Sequence, residues 1–218
     1  MAGEFAVIGL GRFGWSVAVN LARQGQSVLA VDHDPARVQA ISAEVDSAVA
    51  CDTTDEASLA ELRLERASCV VVAIGAEAKE ASILTTTLLR QAGVPRIVAR
   101  ASSDLHARVL LAVGAHEVVN PEKEMGERMA RQLARPSIVE QLPLGEGATL
   151  AELALPEGFA GKTLIELEVR RRFDLSVVAI RRQGKIHSHL LGMGPLQTGD
   201  VLFVIGSPEA IARLAALA

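Results

Sequence analysis

Aromatic side chains are nearly missing from this chain: they make up 3% of its 218 residues, with one Trp and no Tyr. Its core must be built from Val, Leu, Ile and Ala, and half of all residues are hydrophobic. Cysteine is scarce as well. Cys51 and Cys69 both lie in apolar, strand-like runs, where a buried thiol is inert. Two such residues without an export signal suggest a reducing cytoplasm. No apolar run reaches the ~20 residues that a membrane span requires. The start, Met1-Ala-Gly-Glu4, lacks the charged-then-apolar layout of a signal peptide. A basic excess is absent too: the formal charge is −4, with no basic patch or stripe, which counts against a nucleic-acid partner. What remains is a soluble, globular chain with enough length for one large or two modest domains.

Glycine, by contrast, is plentiful, and its placement is informative. Phe5-Ala-Val-Ile-Gly-Leu-Gly-Arg-Phe-Gly14 reads as a short buried strand, a glycine turn and a helix from about residue 13. The spacing is G-x-G-x-x-G. Gly9 serves the tight turn, Gly11 the close approach of backbone to phosphate, and Gly14 the packing of helix on strand. A helix that begins there points unpaired N–H groups and a partial positive charge at whatever lies over the turn. The motif alone also fits a plain strand–turn–helix corner, so its context decides.

Through residue 121 apolar, β-rich runs (5–9, 27–32, 47–52, 69–75, 96–101 and 117–120) alternate with helical stretches (13–24, 35–43, 55–62, 77–92 and 104–113). Continuous apolar strands separated by helices of this length imply a parallel sheet covered on both faces. Right-handed crossovers make it a Rossmann-like, doubly wound α/β sheet of six strands. Asp34-Pro35 supplies one helix start, Asp55 or Thr54 the next, and Gly93 followed by Pro95 a helix stop. Residues 122–135 read as a further helix of mixed apolar and charged character, either a surface helix or a connector that packs on a partner subunit. Past Pro136 the texture becomes that of a small α+β unit. Strands at 149–155, 176–182, 185–190 and 201–206 are expected there, with a helix at 162–173, a hairpin turn at Gln183-Gly184 and a closing helix at 208–217. The organisation expected is thus 1–121, a connector at 122–136, and 137–218.

The second strand ends at Asp32, about 20 residues past the glycine turn, where a carboxylate accepts hydrogen bonds from adenosine ribose hydroxyls and disfavours a 2′-phosphate. Arg12 sits inside the glycine turn, either solvated or reaching a terminal phosphate with two parallel hydrogen bonds, which would suit ATP or ADP. Cys51-Asp52-Thr53 and Ala73-Ile74-Gly75 end the third and fourth strands at the carboxyl edge, where ligands bind in such folds. Asp52 serves either the ligand or the cap of the next helix. Arg100 ends the fifth strand at the same edge and faces either phosphate or a neighbouring subunit. Glu122 either meets a divalent cation, Mg²⁺ or Ca²⁺, on nucleotide phosphates or simply favours a helix N-terminus. The five histidines do not cluster as metal ligands. His187 and His189 alternate within an expected strand and so share one side, either as a weak metal or anion site or, more commonly, as exposed polar positions.

Taken together, Phe5 to Gly14, Val28-Leu-Ala-Val-Asp32, Val71-Val-Ala-Ile-Gly75 and Asn120-Pro-Glu-Lys-Glu-Met-Gly126 resemble the RCK (KTN) regulatory subunits of Ktr/Trk potassium uptake, of the KtrA/KtrC type. The resemblance covers nearly the whole chain. It implies a TrkA-N-like nucleotide-binding domain, a crossover helix at 122–135 and a TrkA-C-like domain, with a regulatory role and no catalysis. Such subunits form dimers that assemble into an octameric ring on the cytoplasmic face of a K⁺-translocating membrane protein. ATP and ADP compete for the site, and the ring gates the membrane subunit. The resemblance assigns phosphate to Gly9, Gly11 and Gly14, ribose to Asp32, the terminal phosphate of its own or the neighbouring subunit's nucleotide to Arg12, and a divalent cation at the dimer interface to Glu122. The full set of expected nucleotide contacts adds Phe13, His33, Asp52, Thr53, Ala73, Ile74, Gly75 and Arg100. Some relatives bind cyclic di-AMP in the carboxyl-terminal domain. Arg170 lies where they carry a ligand-contacting arginine, whereas Ser176 replaces a common asparagine. The alternatives are an NAD(H)-binding regulator of a Trk-type transporter, an NAD-dependent oxidoreductase, for which no acid–base residue is evident, and a gating domain of a channel. The start at Met1 and the lack of spans favour a free-standing subunit.

Overall fold

The computed structural model describes residues 4–190 and 192–217, and the chain divides into two compact units between Met125 and Gly126. The first unit alternates strand and helix. Its elements are β1 (Glu4–Ile8), α1 (Arg12–Arg23), β2 (Ser27–Asp32), α2 (Pro35–Ile41), β3 (Ser47–Ala50), α3 (Glu56–Glu61), β4 (Cys69–Val72), α4 (Lys79–Gln91), β5 (Ile97–Arg100), α5 (Asp104–Ala112) and β6 (Glu117–Val119). The helix α6 (Pro121–Ala134) follows and contains the division between the units. All pairings are parallel, in the order β3-β2-β1-β4-β5-β6.

The order reverses at β1, which lies between β2 and β4, so the crevice at its carboxyl end is the place where such a sheet takes ligands. Burial on both faces explains the unbroken apolar strands: all four residues of β4 are buried, and Ala6, Val7 and Ile8 are at most 2% exposed. Two apolar clusters, one centred on Val70, Val72 and Leu89 and the other on Val7, Ala30 and Ile41, contribute to this burial. Each fully buried Leu, Ile or Val contributes about 1.5–3 kcal/mol.

Local chemistry sets the helix ends. Asp34 caps α2 by accepting the Ala36 N–H, with Pro35 at the first position, and Asp55 caps α3 through the Ser58 N–H. Ser103 caps α5 and accepts the His106 N–H. Gly93, at φ +78°, follows the last residues of α4 in the left-handed region that glycine enters without steric cost. β2 ends at Asp32, as its apolar run suggested, and the other five strands of this sheet end one to three residues earlier than theirs. Asp52 and residues 73–75 therefore stand just beyond strand ends, in the loops at the carboxyl edge.

The second unit is an antiparallel sheet, β10-β9-β11-β8-β7. Its strands are β7 (Ile138–Gly145), β8 (Ala148–Ala154), β9 (Ser176–Arg182), β10 (Lys185–His187) and β11 (Val201–Gly206). One face is covered by α7 (Leu164–Leu167), α8 (Val169–Phe173) and α9 (Pro208–Ala215), around buried Leu153, Leu167, Ile180, Leu202 and Ile211. Three expectations are corrected here. β7 was not anticipated, because Pro143 and two glycines masked a strand whose outer side chains, such as Leu142, stay exposed. The single helix at 162–173 is two helices, because Glu168 takes a left-handed φ of +46°. β10 stops at His187, so His189 lies outside the strand and does not alternate with it. The hairpin at Gln183-Gly184 is present, with φ of +50° and +79° as a type I′ turn requires.

One buried ion pair pins this sheet. Asp200 is 2% exposed and accepts two parallel hydrogen bonds from Arg182, at 2.9 and 2.6 Å, plus the Gln197 N–H at 2.8 Å. The Arg182 hydrogen bond is the main cause that holds the Asp200 carboxyl below its ordinary range, against the opposing effect of burial. A carboxyl depressed on folding contributes stability above the unfolded pKa of about 4 and loses it as pH falls through the folded value. Asp200→Asn should therefore destabilise this unit by about 3 kcal/mol, since it leaves the guanidinium without its charge partner. Urea denaturation from pH 7 down to pH 3 should show the gap between variant and wild type closing only at the acid end. A gap independent of pH would rule out the ion pair as its source.

Candidate nucleotide site at the carboxyl edge of the parallel sheet

The glycine turn is built by close contacts that only glycine permits. Gly9 has φ +93°, its N–H donates to the Val31 carbonyl at 2.7 Å, and a Cβ there would lie 2.9 Å from the Ile74 nitrogen. Gly14 is tighter: a Cβ would lie 1.9 Å from the Gly9 carbonyl oxygen and 2.9 Å from the Ala73 Cβ. Gly11 differs from both. Nothing lies within 4 Å of where its Cβ would stand, so the space above it is open. Gly11 is also the N-cap of α1, it has no side chain to satisfy the first N–H groups, and the first turn carries no acidic residue. Arg12, the first residue of the helix, is exposed and makes no hydrogen bond or ion pair with any described residue. Unpaired N–H groups and the helix dipole face one open space, and an exposed, unpaired guanidinium stands at the first position of the same helix, an arrangement that fits a phosphate chain.

Asp32 closes the other side. It is 3% exposed, and its two carboxylate oxygens accept the Leu10 N–H at 2.5 Å and the Asp34 N–H at 2.9 Å. His33 Nδ1 lies 3.1 Å from one oxygen and the Arg37 guanidinium 3.6 Å from the other. The carboxylate thus ties the glycine turn to the end of β2. Sequence reasoning passed over Arg37. Its signal was present as an i, i+3 relation to Asp34, which it also approaches, at 3.5 Å.

The remaining expected residues divide into two groups. Asp52 is exposed beside the site and accepts from the backbone and hydroxyl of Thr54, at 3.0 and 2.7 Å, and these bonds hold its carboxyl below the ordinary range. It does not cap α3, which Asp55 does. Thr53 is buried, and its hydroxyl meets that of Thr85 at 2.8 Å, so this side chain braces β3's end against α4. Cys51 is half-buried, unlike buried Cys69, and burial, followed by the nearby Asp52 charge, pushes its thiol up. Ala73 and Ile74 form the wall against which Gly9 and Gly14 pack. Gly75 follows them at the start of a short 3₁₀ turn, Ala76–Ala78. Phe13 is partly buried against the second cluster.

Arg100 and Glu122 form an ion pair with each other, a pairing that spacing in the sequence did not reveal. The Arg100 side chain is 16% exposed and that of Glu122 is 63% exposed. Among the described residues no group of three His, Cys, Asp or Glu side chains could hold a metal ion. A cation at Glu122 would therefore need donors that this chain's own side chains do not bring together. In the carboxyl-terminal unit a cavity of about 630 Å³ is lined by residues that include Ile165, Arg170, Arg171, Ser176 and Leu190. Arg170 and Ser176 are thus brought into one concavity.

This geometry defines a Rossmann-type, nucleotide-binding fold joined to a small antiparallel domain. Comparison with known proteins gives the family: residues 5–121 match the TrkA-N domain and residues 149–218 the TrkA-C domain, and the chain belongs to that family. It is 38% identical over 213 residues to Ktr system potassium uptake protein C of Bacillus subtilis (strain 168), covering 98% of this chain and 96% of that protein. It is 36% identical over 210 residues to Ktr system potassium uptake protein A of Vibrio alginolyticus, covering 96% and 95%. Among solved structures, the GsuK channel bound to NAD superposes with a TM-score of 0.69 at 20% identity, over all of this chain and 39% of that longer one. That likeness is one of fold, that of an RCK domain.

Gly14→Val should be the most damaging single change in the turn. The clash with the Gly9 carbonyl cannot relax without moving β1 off α1, so overpacking should cost about 3 kcal/mol in urea denaturation. Gly11→Ala, with open space above it, should keep stability within about 1 kcal/mol while crowding the phosphate position. Equal stability losses for the two variants would contradict this assignment of roles.

Proposed function

We propose that this chain is a nucleotide-sensing regulatory subunit of a potassium uptake system, one that binds ATP or ADP and gates a K⁺-translocating membrane protein. The observation that carries the reading is Arg12, free and exposed at an uncapped helix N-terminus beside open space over Gly11. A pyrophosphate needs only the turn and the helix end. An additional free cation adds discrimination for a tail with more charge. The identities of 38% and 36%, over nearly full length, to Ktr potassium uptake proteins support the system and the kind of membrane partner. The role is regulatory: differential affinity for two nucleotides shifts a two-state assembly, and no substrate is turned over. The match to Ktr potassium uptake proteins over nearly their full length supports placing translocation in a separate membrane subunit, with this chain at the cytoplasmic face.

Ring assembly is the second part of the reading. No residue of α6 is buried, and Met125, Met129 and Leu133, spaced four apart, are 54%, 52% and 76% exposed. Such a stripe on one helix face suits pairing with the same helix of a second copy, and dimers of this kind building to an octamer follow the resemblance. Glu122 with Mg²⁺ or Ca²⁺ on bound phosphates, and cyclic di-AMP in the cavity at Arg170, extend the same reading.

A second reading, NAD(H) in place of ATP and ADP, is favoured by Asp32, which stands where an unphosphorylated ribose is held. Equilibrium binding of ATP, ADP, NAD and NADH separates the two. We expect ATP and ADP to bind more tightly than NADH, and Arg12→Ala to lose ATP affinity about tenfold with a smaller loss for ADP, the size of a charge-assisted contact. NADH binding more tightly than ATP would select the second reading. An ATP-over-ADP preference unchanged by Arg12→Ala would remove Arg12 from the role. For assembly, Leu133→Glu should lower the mass of the assembly in solution, and an unchanged mass would take α6 out of the interface.

A further inference from the structure

The ion pair between Arg100 and Glu122 is unusual in its placement. Arg100 stands at the end of β5, and β4 separates that strand from β1 with its glycine turn. At ~4.8 Å per strand the two ends are roughly 10 Å apart. A nucleotide with adenosine at β1 and β2 therefore extends its tail along the edge towards β4 and β5. The Arg100 side chain is largely buried, whereas its partner is largely exposed. A guanidinium in that setting needs a counter-ion, and Glu122 supplies it from a side chain that is free to leave for solvent. Glu122 also sits in the first turn of α6. That turn is held by Asn120, which accepts the Lys123 N–H at 3.1 Å, by Glu124, which accepts the Asn120 N–H at 3.2 Å, and by Lys123 paired to Asp104 at 2.8 Å. Glu122 can therefore change partners without unwinding the helix.

We propose that Glu122 is an internal competitor for Arg100, and that this competition sets the preference of the nucleotide site for the charge of the ligand's tail. The inference rests on the nucleotide-binding reading of the site. A ligand phosphate takes the Arg100 Nη2 donor by displacing Glu122 from it, so a tail with more negative charge displaces it better. ATP gains more from Arg100 than ADP does, and the far end of NAD, which is not anionic, gains nothing. The displaced carboxylate then stands beside the phosphates that took its place and repels them unless a cation lies between. The pair accordingly makes divalent-ion dependence a consequence of displacement. This differs from a simple ligand role for Glu122, in which the effect of removing its charge does not depend on Arg100.

The test is ATP and NAD binding to the full chain by titration calorimetry in EDTA, comparing wild type, Glu122→Gln, Arg100→Gln and the double variant. Competition predicts that Glu122→Gln tightens ATP about threefold to fivefold without any divalent ion, the range that a partly exposed ion pair supports. NAD affinity stays unchanged. In the Arg100→Gln background the same Glu122 substitution tightens ATP less than it does in wild type, only by the repulsion it removes, and that difference measures the coupling between the two residues. Glu122 is mostly exposed and Gln keeps its size, so loss of the fold is not expected. A thermal melt of each variant confirms that loss of structure does not produce the differences. ATP affinity in EDTA that is unchanged or weakened by Glu122→Gln overturns the inference and leaves the nucleotide site standing. A wild-type chain that binds none of ATP, ADP, NAD or NADH overturns the functional reading, and this inference with it.

Discussion

The carboxylate of Asp32 is the interaction on which the amino-terminal site depends. It is buried at the end of β2, and it accepts the N–H of Leu10 from the glycine turn and that of Asp34 from the start of α2. A buried carboxylate is costly unless its lone pairs are satisfied, and here two backbone donors satisfy it. In return it fixes the turn between β1 and α1 at the height where Gly9 and Gly14 meet the wall formed by Ala73 and Ile74.

Around that strut the structure separates two kinds of residue. Asp32, Thr53, Gly9 and Gly14 are held by partners within the chain and shape the edge. Arg12, Asp52 and Glu122 are exposed and stand on that edge with their charges towards solvent. On the proposed reading both kinds are needed, since a rigid frame gives position and exposed charges give discrimination. Arg100 lies between the two, largely buried yet paired to an exposed partner, so it is the position at which the frame can respond to a ligand.

Much of this architecture was legible in the sequence because the signals were local. Alternating apolar strands and helices gave the parallel sheet, the glycine spacing gave the turn, and Asp34-Pro35 gave the start of α2. Contacts between distant segments were not legible. The pairing of Arg100 with Glu122, the Thr53 bond to Thr85 and the Leu10 bond to Asp32 join residues 22 to 32 positions apart. No periodicity encodes them. In the second unit β7 escaped because its outer residues are apolar and exposed, so it lacks the alternation that marks a half-buried strand. The break at Glu168 escaped because a left-handed glutamate has no sequence signature.

The glycine turn acts, on the proposed reading, as a phosphate cradle with a charged reader, and everything else in the site follows from it. The most direct measurement is an amide NMR titration of the chain with ADP, followed by ATP. The account predicts that the largest shift changes fall on the N–H groups of Gly11, Arg12, Phe13 and Gly14, with ATP adding a further change at the Arg12 side chain. Nucleotide binding that leaves these amides unmoved would contradict it.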